Sequence, residues 1–362
     1  MTACPDQETI EVCEPATRKP LGVVLTASGD EIASTARRAR EAQAAWAKCS
    51  SSARAQHLLS WRQLLIQEGR QLAEELAREN GKPYHEALIH EVIALTGFLE
   101  FIAKTAPALL EPHSSTPKWF KHRIHHLQFR PRGVVAVLVP FNFPLLIAGA
   151  DAAAALAMGC AVVLKPSPAC PLIVERLVRL AHRAGIPEAV LSLVHGGPEV
   201  GQQLVRANVD EVVFTGSVEN GRQIAQICAT KLTPYTLELG GNCPLLVLDD
   251  ADVERTARAI VLGALTNSGQ SCFAVGRVLV ARQIAPVLQE QLANAIGLLR
   301  QGDPLSAESD LGAVTTAAQL ERCRRHVEQA ISLGARAFHG SHCTSLDGNF
   351  FPPTLLMDAR PD

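Results

Sequence analysis

The chain has 362 residues, of which 47% are apolar and 19% are charged, and its formal net charge is −2. This length predicts two or three domains, and the apolar content excludes a disordered chain. A charge this close to zero argues against nucleic acid as the main partner, because phosphate binding needs a basic surface. The acidic N-terminal segment lacks the features of a signal or transit peptide.

The ten cysteines include no closely spaced CxxC pair. We therefore expect reduced thiols in a cytoplasmic protein. Residues 133–164 form an apolar run long enough to span a bilayer. Pro140, Asn142, Pro144 and Asp151 interrupt this run, so a buried strand, loop and helix fit it better, and we expect no membrane partner.

The N-terminal part of the chain predicts an extended region over residues 8–27, followed by helices. Ser28 and Glu31 have the spacing of a capping box at the first helix, and Asn80-Gly81 has the composition of a helix end. No chemistry is predicted for these helices, which we interpret as scaffold. The helices are predicted over about residues 29–49, 53–79 and 84–110.

Residues 118–130 (KWFKHRIHHLQFR) are basic and partly alternating, and they contain His122, His125 and His126. A metal site is not predicted here, because no cysteine or acidic ligand lies nearby in the sequence. We interpret residues 118–132 as an arm that pairs with another subunit.

From residue 133 onward, apolar strands alternate with helical segments. This rhythm predicts a parallel sheet with helices on both faces. Such sheets bind ligands at the carboxyl ends of their strands. The strands are predicted over 134–139, 161–165, 190–194, 211–215, 235–239 and 245–248.

Two motifs carry groups suited to covalent chemistry. In NSGQSC, Cys272 follows Gly269 and Gln270 and is predicted to lie on a loop, although most cysteines are simply small buried side chains. In TLELGG, Glu238 ends an apolar strand and precedes two glycines, including Gly240, which allow close approach of a ligand.

Three further motifs follow predicted strands. FTGS opens a helix, and a glycine turn there can offer N–H groups to a phosphate. LKPS places Lys165 where it can donate to a ribose or a phosphate. PFNFP places the amide of Asn142 among apolar neighbours, and a fixed amide is a good oxyanion donor. Each motif is weak alone, but the five together supply the parts of a thiol-based aldehyde oxidation.

The five motifs occur in the order, and at much the spacing, found in the aldehyde dehydrogenase superfamily, which the sequence resembles over nearly its whole length. The resemblance implies oxidation of an aldehyde to a carboxylic acid with NAD or NADP. Cys272 would be the nucleophile and pass through a thiohemiacetal and a thioester, and Glu238 would activate water. Asn142 and the Cys272 backbone N–H would form the oxyanion hole.

The resemblance also implies cofactor contacts at the strand ends. Lys165 would contact the adenosine ribose, and Gly216 and Ser217 the pyrophosphate. No metal is implied. The further cofactor contacts predicted within the same motifs are Pro140, Ser167, Phe214 and Gly240.

The implied fold class is α/β, with a Rossmann-like cofactor domain, a second, incomplete α/β catalytic domain and a β-arm for oligomerisation. The expected assembly is a homo-dimer or tetramer. The expected segments are the helical part of the cofactor domain (1–117), the arm (118–132), the NAD(P)-binding domain (133–240) and the truncated catalytic domain (241–362).

Two features depart from the family pattern. Pro168 stands where NAD-preferring members often carry a glutamate that binds the ribose hydroxyls, so we expect poor discrimination between NAD and NADP. The family's ExFGP motif, which contacts the nicotinamide ribose, does not occur up to Asp362. The resemblance therefore implies a C-terminally shortened chain with little or no turnover.

Two alternatives remain at the level of sequence. One is a catalytically silent homologue that binds nucleotide or partners. The other is a CoA-acylating relative, against which Glu238 argues, because that branch needs no water-activating base. The aldehyde itself is not identified, since Phe143, Ser271 and Phe273 do not decide between aliphatic, aromatic and semialdehyde substrates.

Overall fold

The structure, a computed structural model, describes residues 8–116, 118–340 and 347–359. These residues form two units built from segments that are discontinuous in sequence. The first unit contains the described residues up to Ile10, Val23–Gly69 and His90–Glu238. The second contains Glu11–Gly22, Arg70–Ile89 and the described residues from Leu239 onward. The division into four functional segments stays a prediction.

The secondary structure is mixed α/β, in agreement with the predicted fold class. The helices are α1 (Gly29–Trp46), α2 (Ser51–Gln67), α3 (Gly69–Asn80), α4 (Tyr84–Glu86), α5 (Ala94–Leu109), α6 (Pro144–Ala157), α7 (Pro171–Arg183), α8 (Pro198–Arg206), α9 (Val218–Lys231), α10 (Val253–Leu265), α11 (Ala285–Gly297) and α12 (Ala317–Ser332). The strands are β1 (Thr9–Cys13), β2 (Pro20–Leu25), β3 (His113–Ser115), β4 (His125–Leu127), β5 (Val134–Leu138), β6 (Ala161–Lys165), β7 (Leu191–Leu193), β8 (Glu211–Gly216), β9 (Tyr235–Leu239), β10 (Cys243–Val247), β11 (Val275–Val280), β12 (Arg336–His339) and β13 (Thr354–Met357).

A five-stranded sheet forms the centre of the first unit, with strand order β7-β6-β5-β8-β9. Strand β5 is parallel to β6 and β8, and β6 is parallel to β7, which confirms the predicted parallel sheet. Every residue of β5 and β6 is buried, as expected of strands covered on both faces. The strand order reverses between β5 and β8, so ligands are expected at the carboxyl ends of these two strands.

The predicted capping box at α1 is confirmed. The Ser28 side chain accepts the Glu31 N–H at 3.3 Å, and the Glu31 carboxylate accepts the Ser28 N–H at 2.7 Å. The extended region predicted over residues 8–27 is present as two strands, β1 and β2.

The single helix predicted over residues 53–79 is wrong, because the structure has two helices, α2 and α3, in this region. Glu68 leaves the helical conformation, with φ −99° and ψ 8°, and its carboxylate accepts hydrogen bonds from Arg176 and Arg183. Gly69 follows, where a Cβ atom would lie 3.3 Å from a methyl carbon of Val92. Glycine also weakens helix continuation, so the break has both a local and a tertiary cause.

The helix predicted over residues 84–110 is present as one helical stretch, Tyr84–Leu109, whose middle part, Ala87–Ile93, is a π-helix. By length and composition this stretch could cross a membrane, although core helices of water-soluble proteins meet the same criteria. The apolar run over residues 133–164 folds as predicted into strand β5, a loop, helix α6 and the start of β6.

Strand β4 lies within the predicted arm, residues 118–132, and pairs in an antiparallel hairpin with β3, which precedes the arm. All residues of both strands are exposed. Trp119 is 86% exposed between them. A role of this hairpin in oligomerisation stays a prediction.

The second unit contains a parallel pair of strands, β10 and β11, and an antiparallel pair, β12 and β13. The sixth strand of the predicted series corresponds to β10. It pairs with β11 in a two-stranded sheet that is separate from the five-stranded sheet. A core cluster packs in this unit around Val247, Ala257, Ile260, Leu288 and Leu292. Cys4 and Cys343 lie outside the described residues, and the described cysteines are free thiols.

Candidate active site

Three predicted motifs lie where strands of the first unit's sheet end, next to one row of paired residues. Leu138 of β5 is paired with Lys165 of β6 on one side and with Phe214 of β8 on the other. Pro140 and Ser217 follow within a few residues of this row. The sheet register therefore brings PFNFP, LKPS and FTGS to the same edge, at the point where the strand order reverses.

Lys165 lies at the end of β6 and is only 7% exposed. Its Nζ donates to the Pro166 carbonyl oxygen at 3.0 Å. Burial lowers the pKa of Lys165 to about 8, although the charge of Glu199 opposes this shift. Helix α8 approaches closely, because a Cβ atom on Gly201 would lie 3.0 Å from Leu138 and 3.6 Å from the Lys165 side chain. An ammonium group has three donors, so Lys165 has donors to offer a ligand.

The FTGS motif forms the turn between β8 and α9. Ser217 is the N-cap of α9, and its side chain accepts the Asn220 N–H at 3.2 Å. The remaining N–H groups of the first turn, and the positive end of the helix dipole, suit an anion. A Cβ atom on Gly216 would lie 2.6 Å from the Phe214 ring, so this glycine is also required by packing.

The PFNFP loop joins β5 to α6. The Asn142 side-chain oxygen accepts the Phe143 N–H at 3.1 Å, which orients the amide group. The fully buried Glu91 holds the helix that follows, since its carboxylate accepts the N–H groups of Leu145 and Leu146 at 2.8 and 3.2 Å. An anion at a helix N-terminus is favourable, so Glu91 fixes the first turn of α6 directly after Asn142.

Glu238 lies on the edge strand β9 of the same unit and is exposed. The charge of Glu238 acts on the carboxyl group of Asp151 on α6. Burial, and to a lesser extent the negative charge of Glu238, raises the pKa of Asp151 to about 6.

Cys272 lies in the second unit, on an exposed loop that follows the turn Thr266–Gly269. Its carbonyl oxygen is 3.8 Å from the Cys243 sulfur. A Cβ atom on Gly241 would lie 3.3 Å from the same oxygen, so glycine at this position permits close packing of Gly241 against the Cys272 loop. Among the residues that the structure describes, no atom lies within 4 Å of a Cβ added to Gly240.

The structure thus places eight of the ten predicted site residues in the first unit and two in the second. The residues of the first unit are Pro140, Asn142, Lys165, Ser167, Phe214, Gly216, Ser217 and Glu238. The residues of the second unit are Gly240 and Cys272.

Sequence reasoning did not assign a role to four polar residues that the structure places beside these motifs. Glu86 and Glu91 are buried, and Asp151 and His195 are half-buried. Glu86 accepts the Asn267 N–H in the second unit, and His195 has a buried Nδ1 that finds no hydrogen-bond partner among the described residues. A charged residue inside an otherwise apolar segment was the available signal, since such groups are seldom buried without a partner.

The edge formed by β5, β6 and β8 fits the ribose and phosphate groups of a dinucleotide. It offers the buried ammonium of Lys165, the N-terminus of α9 at Ser217 and the unpartnered Nδ1 of His195. His195 lies near Glu175, with 3.9 Å between Nε2 and the carboxylate.

Comparison with known proteins identifies similar chains. The sequence model described as the aldehyde dehydrogenase family matches residues 3–362. The chain is 35% identical over 353 residues to a glutarate-semialdehyde dehydrogenase of Pseudomonas putida, covering 97% of this chain and 72% of the relative. It is 33% identical to an NADP(+) succinate-semialdehyde dehydrogenase of Escherichia coli K12, covering 97% and 73%. An NAD+ complex structure of an aldehyde dehydrogenase from Bacillus cereus has a TM-score of 0.93 at 32% identity, covering 98% and 72%.

Proposed function

Since this chain belongs to the aldehyde dehydrogenase family, we propose that its substrate is the semialdehyde of a short dicarboxylic acid. Oxidation of an aldehyde to the carboxylic acid, with NAD or NADP, is its reaction. The observation that supports the semialdehyde is the pair of relatives at 35% and 33% identity, one named for glutarate semialdehyde and one for succinate semialdehyde. The catalytically silent alternative is not favoured by these matches.

The substrate proposal is tested with aldehydes matched in chain length. Succinate semialdehyde is compared with butanal, and glutarate semialdehyde with pentanal, at saturating NAD and NADP. We expect kcat/KM to be roughly 10- to 100-fold higher for the semialdehydes, because a bound carboxylate adds at least one charge-assisted hydrogen bond. Equal kcat/KM values for the semialdehydes and the alkanals would contradict the proposal.

We further propose a division of roles among the site residues. The Cys272 thiolate attacks the carbonyl carbon of the aldehyde and forms a thiohemiacetal. The Asn142 amide and the Cys272 backbone N–H donate to the oxyanion. When bound, the nicotinamide supplies the acceptor for the hydride that leaves this carbon, and a thioester on Cys272 remains.

Glu238 completes the proposed reaction by taking a proton from water, which attacks the thioester carbon and releases the acid and the Cys272 thiol. Its exposed position on β9 supports this role, because a water-activating base must be reachable by solvent. The neighbouring Asp151 adds a second carboxyl group beside the proposed base.

The cofactor is proposed to bind to Lys165, Ser167, Ser217 and the N-terminus of α9. Backbone groups next to these residues are proposed to add further contacts. The anion-binding character of the α9 N-terminus and the buried ammonium of Lys165 support this proposal. The remaining proposed contacts are Pro140, Phe214, Gly216 and Gly240.

Replacing Lys165 by methionine is expected to raise the Kd for NAD and NADP by roughly 10- to 100-fold, the range for loss of a charged hydrogen-bond donor. The pKa of about 8 predicts that the ammonium loses its charge as pH rises through 8. Cofactor affinity of the unmodified protein should therefore fall between about pH 7 and 9.5, with Glu199 and His195 as the neighbouring titratable groups. Titration calorimetry measures both effects.

The matched control for Lys165→Met is Lys48→Met, which removes an exposed lysine of the same unit. It should leave Kd and its pH dependence unchanged. A Lys165→Met protein that binds both cofactors like the control would remove Lys165 from the cofactor site.

The cofactor site is expected to discriminate poorly between NAD and NADP. Pro168, three residues after Lys165, has no side-chain acceptor for the ribose hydroxyls and no carboxylate to repel a 2′-phosphate. Calorimetric Kd values should differ by less than about 100-fold, which corresponds to about 2.7 kcal/mol. Introducing the acid by Pro168→Glu should shift the preference toward NAD, and a larger native preference for NAD would argue against this interpretation.

The exposed β3–β4 hairpin supports a further proposal, that the chain assembles as a homo-dimer or tetramer through this arm. Its exposed side chains include Trp119 and Phe120, and exposed apolar groups favour pairing with another surface. A cytoplasmic location, with neither membrane nor nucleic acid as a partner, is proposed from the near-neutral charge and from the bacterial relatives.

A further inference from the structure

The loop that precedes Cys272 has an unusual backbone conformation. Asn267, Ser268 and Gly269 are three consecutive residues with positive φ, at 55°, 53° and 76°. Only glycine adopts this region without steric cost, so the conformation of Asn267 and Ser268 must be maintained by surrounding contacts.

A buried carboxyl group makes the first of these contacts. Glu86, which ends α4, accepts the Asn267 N–H through Oε2 at 2.8 Å. Both residues are almost fully buried, with exposures of 6% for Glu86 and 1% for Asn267. When Glu86 is ionised, this bond is about twice as strong as a neutral hydrogen bond, and it lies within the second unit.

Neutral hydrogen bonds hold the rest of the loop. The Ser268 hydroxyl donates to the Gly312 carbonyl at 3.1 Å, and the Gln270 amide donates to the Asn267 carbonyl at 3.1 Å. The Gln270 side-chain oxygen in turn accepts the Thr315 N–H at 3.0 Å. Among these contacts to the loop, Glu86 supplies the acidic side chain.

The environment of Glu86 disfavours its ionised form. Burial raises the pKa of Glu86 to about 7, while the Asn267 N–H and the positive charge of Lys82 oppose this shift. Lys82 is itself fully buried in the same unit. A carboxyl group in such a place costs stability unless its contacts are specific.

We propose that Glu86 is the positioning residue of the Cys272 loop, whose hydrogen bond to Asn267 maintains the left-handed turn and thereby sets the direction of the Cys272 thiol and backbone N–H. This inference rests on the proposed role of Cys272 as nucleophile. Glu86 does not itself take part in the reaction, because it acts on the loop backbone through Asn267.

Two variants of Glu86 distinguish the effect of losing the hydrogen-bond acceptor from the effect of changing the side-chain volume. Glu86→Leu removes the acceptor and keeps a similar volume, whereas Glu86→Gln keeps an oxygen acceptor without the charge. The matched control is Glu14→Leu, because Glu14 is a buried glutamate of the same unit whose carboxylate binds Thr17 and Arg78.

We expect Glu86→Leu to lower kcat by roughly 10- to 100-fold, the range for losing a charged hydrogen bond, with KM changed by less than about threefold because substrate binding does not use this bond. The kcat of Glu86→Gln should be at least about tenfold higher than that of Glu86→Leu. Hydrogen–deuterium exchange of the peptide over residues 266–272, without substrate, should accelerate in Glu86→Leu and stay unchanged in Glu14→Leu.

Three results would overturn the proposal: unchanged kcat in a folded Glu86→Leu protein, an equal loss of kcat in Glu14→Leu, or unchanged exchange over residues 266–272. If Glu86→Leu does not fold, exchange over residues 266–272 in Glu86→Gln is the decisive measurement. It should be faster than in the unmodified protein, because the neutral amide is the weaker acceptor, and equal exchange contradicts the proposal. Failure of the Cys272 assignment is distinguishable, because Cys272→Ser would then stay active while the exchange result at Asn267 is unaffected.

Discussion

In a catalytically complete version of the protein, replacing Cys272 by serine is expected to lower kcat by roughly four orders of magnitude or more, the scale of losing a catalytic nucleophile. A serine hydroxyl is a much weaker nucleophile than a thiolate when no strong base is arranged beside it. Cofactor binding should stay nearly intact, because the proposed cofactor contacts are at other strand ends. Steady-state formation of NADH or NADPH and calorimetric Kd values measure the two parts of this expectation.

The other cysteines supply the controls for this experiment. Cys49 is exposed in the first unit, and Cys243 contacts the Cys272 carbonyl oxygen in the second. Cys49→Ser should be indistinguishable from the unmodified protein, and Cys243→Ala should keep most of the activity. Substantial dehydrogenase activity in Cys272→Ser would show that the nucleophile is another group.

Replacing Glu238 by glutamine is expected to block the second half of the reaction more than the first. Glutamine keeps the shape of the side chain but does not accept a proton from water at neutral pH. The expected signature is a burst of NADH or NADPH, of about one equivalent per active site, followed by a steady-state rate lowered by roughly 10²- to 10⁴-fold. Stopped-flow fluorescence resolves the burst from the steady state.

The burst experiment also has a matched control. Glu211 begins the neighbouring strand β8 and pairs with Arg132 at 3.6 Å, at the opposite end of β8 from the FTGS motif. Glu211→Gln should change neither phase. Equal slowing of the burst and the steady state in Glu238→Gln would indicate a role in acylation instead of water activation.

The placement of the motifs could be predicted from sequence because it depends on local patterns. Strands β6 and β9 occupy the predicted residues, 161–165 and 235–239. Each is an apolar run that ends at a proline or at glycines, and such residues end strands for reasons of backbone conformation alone. Because neighbouring parallel strands share one carboxyl edge, the meeting of PFNFP, LKPS and FTGS at that edge followed from the same pattern.

Local patterns did not reveal the polar contacts of the N-terminal helices, which we had interpreted as scaffold without chemistry. Glu86 and Glu91 lie five residues apart in a region interpreted as scaffold, yet each binds backbone N–H groups beside a predicted motif. Their partners are 181 and 54 residues away along the chain. No periodicity within a helix contains information about partners at such separations.

The sequence by itself determined the α/β class, the parallel sheet and the residues at its strand ends, because apolar periodicity and turn residues act over a few neighbours. Only the tertiary structure decided that Arg70–Ile89 folds with the residues after Leu239, that the helix breaks at Glu68 and that Asn267 takes a left-handed conformation. The physical reason is the same in each case. These features depend on burial and hydrogen bonds between segments far apart in the chain, and such contacts override local preference.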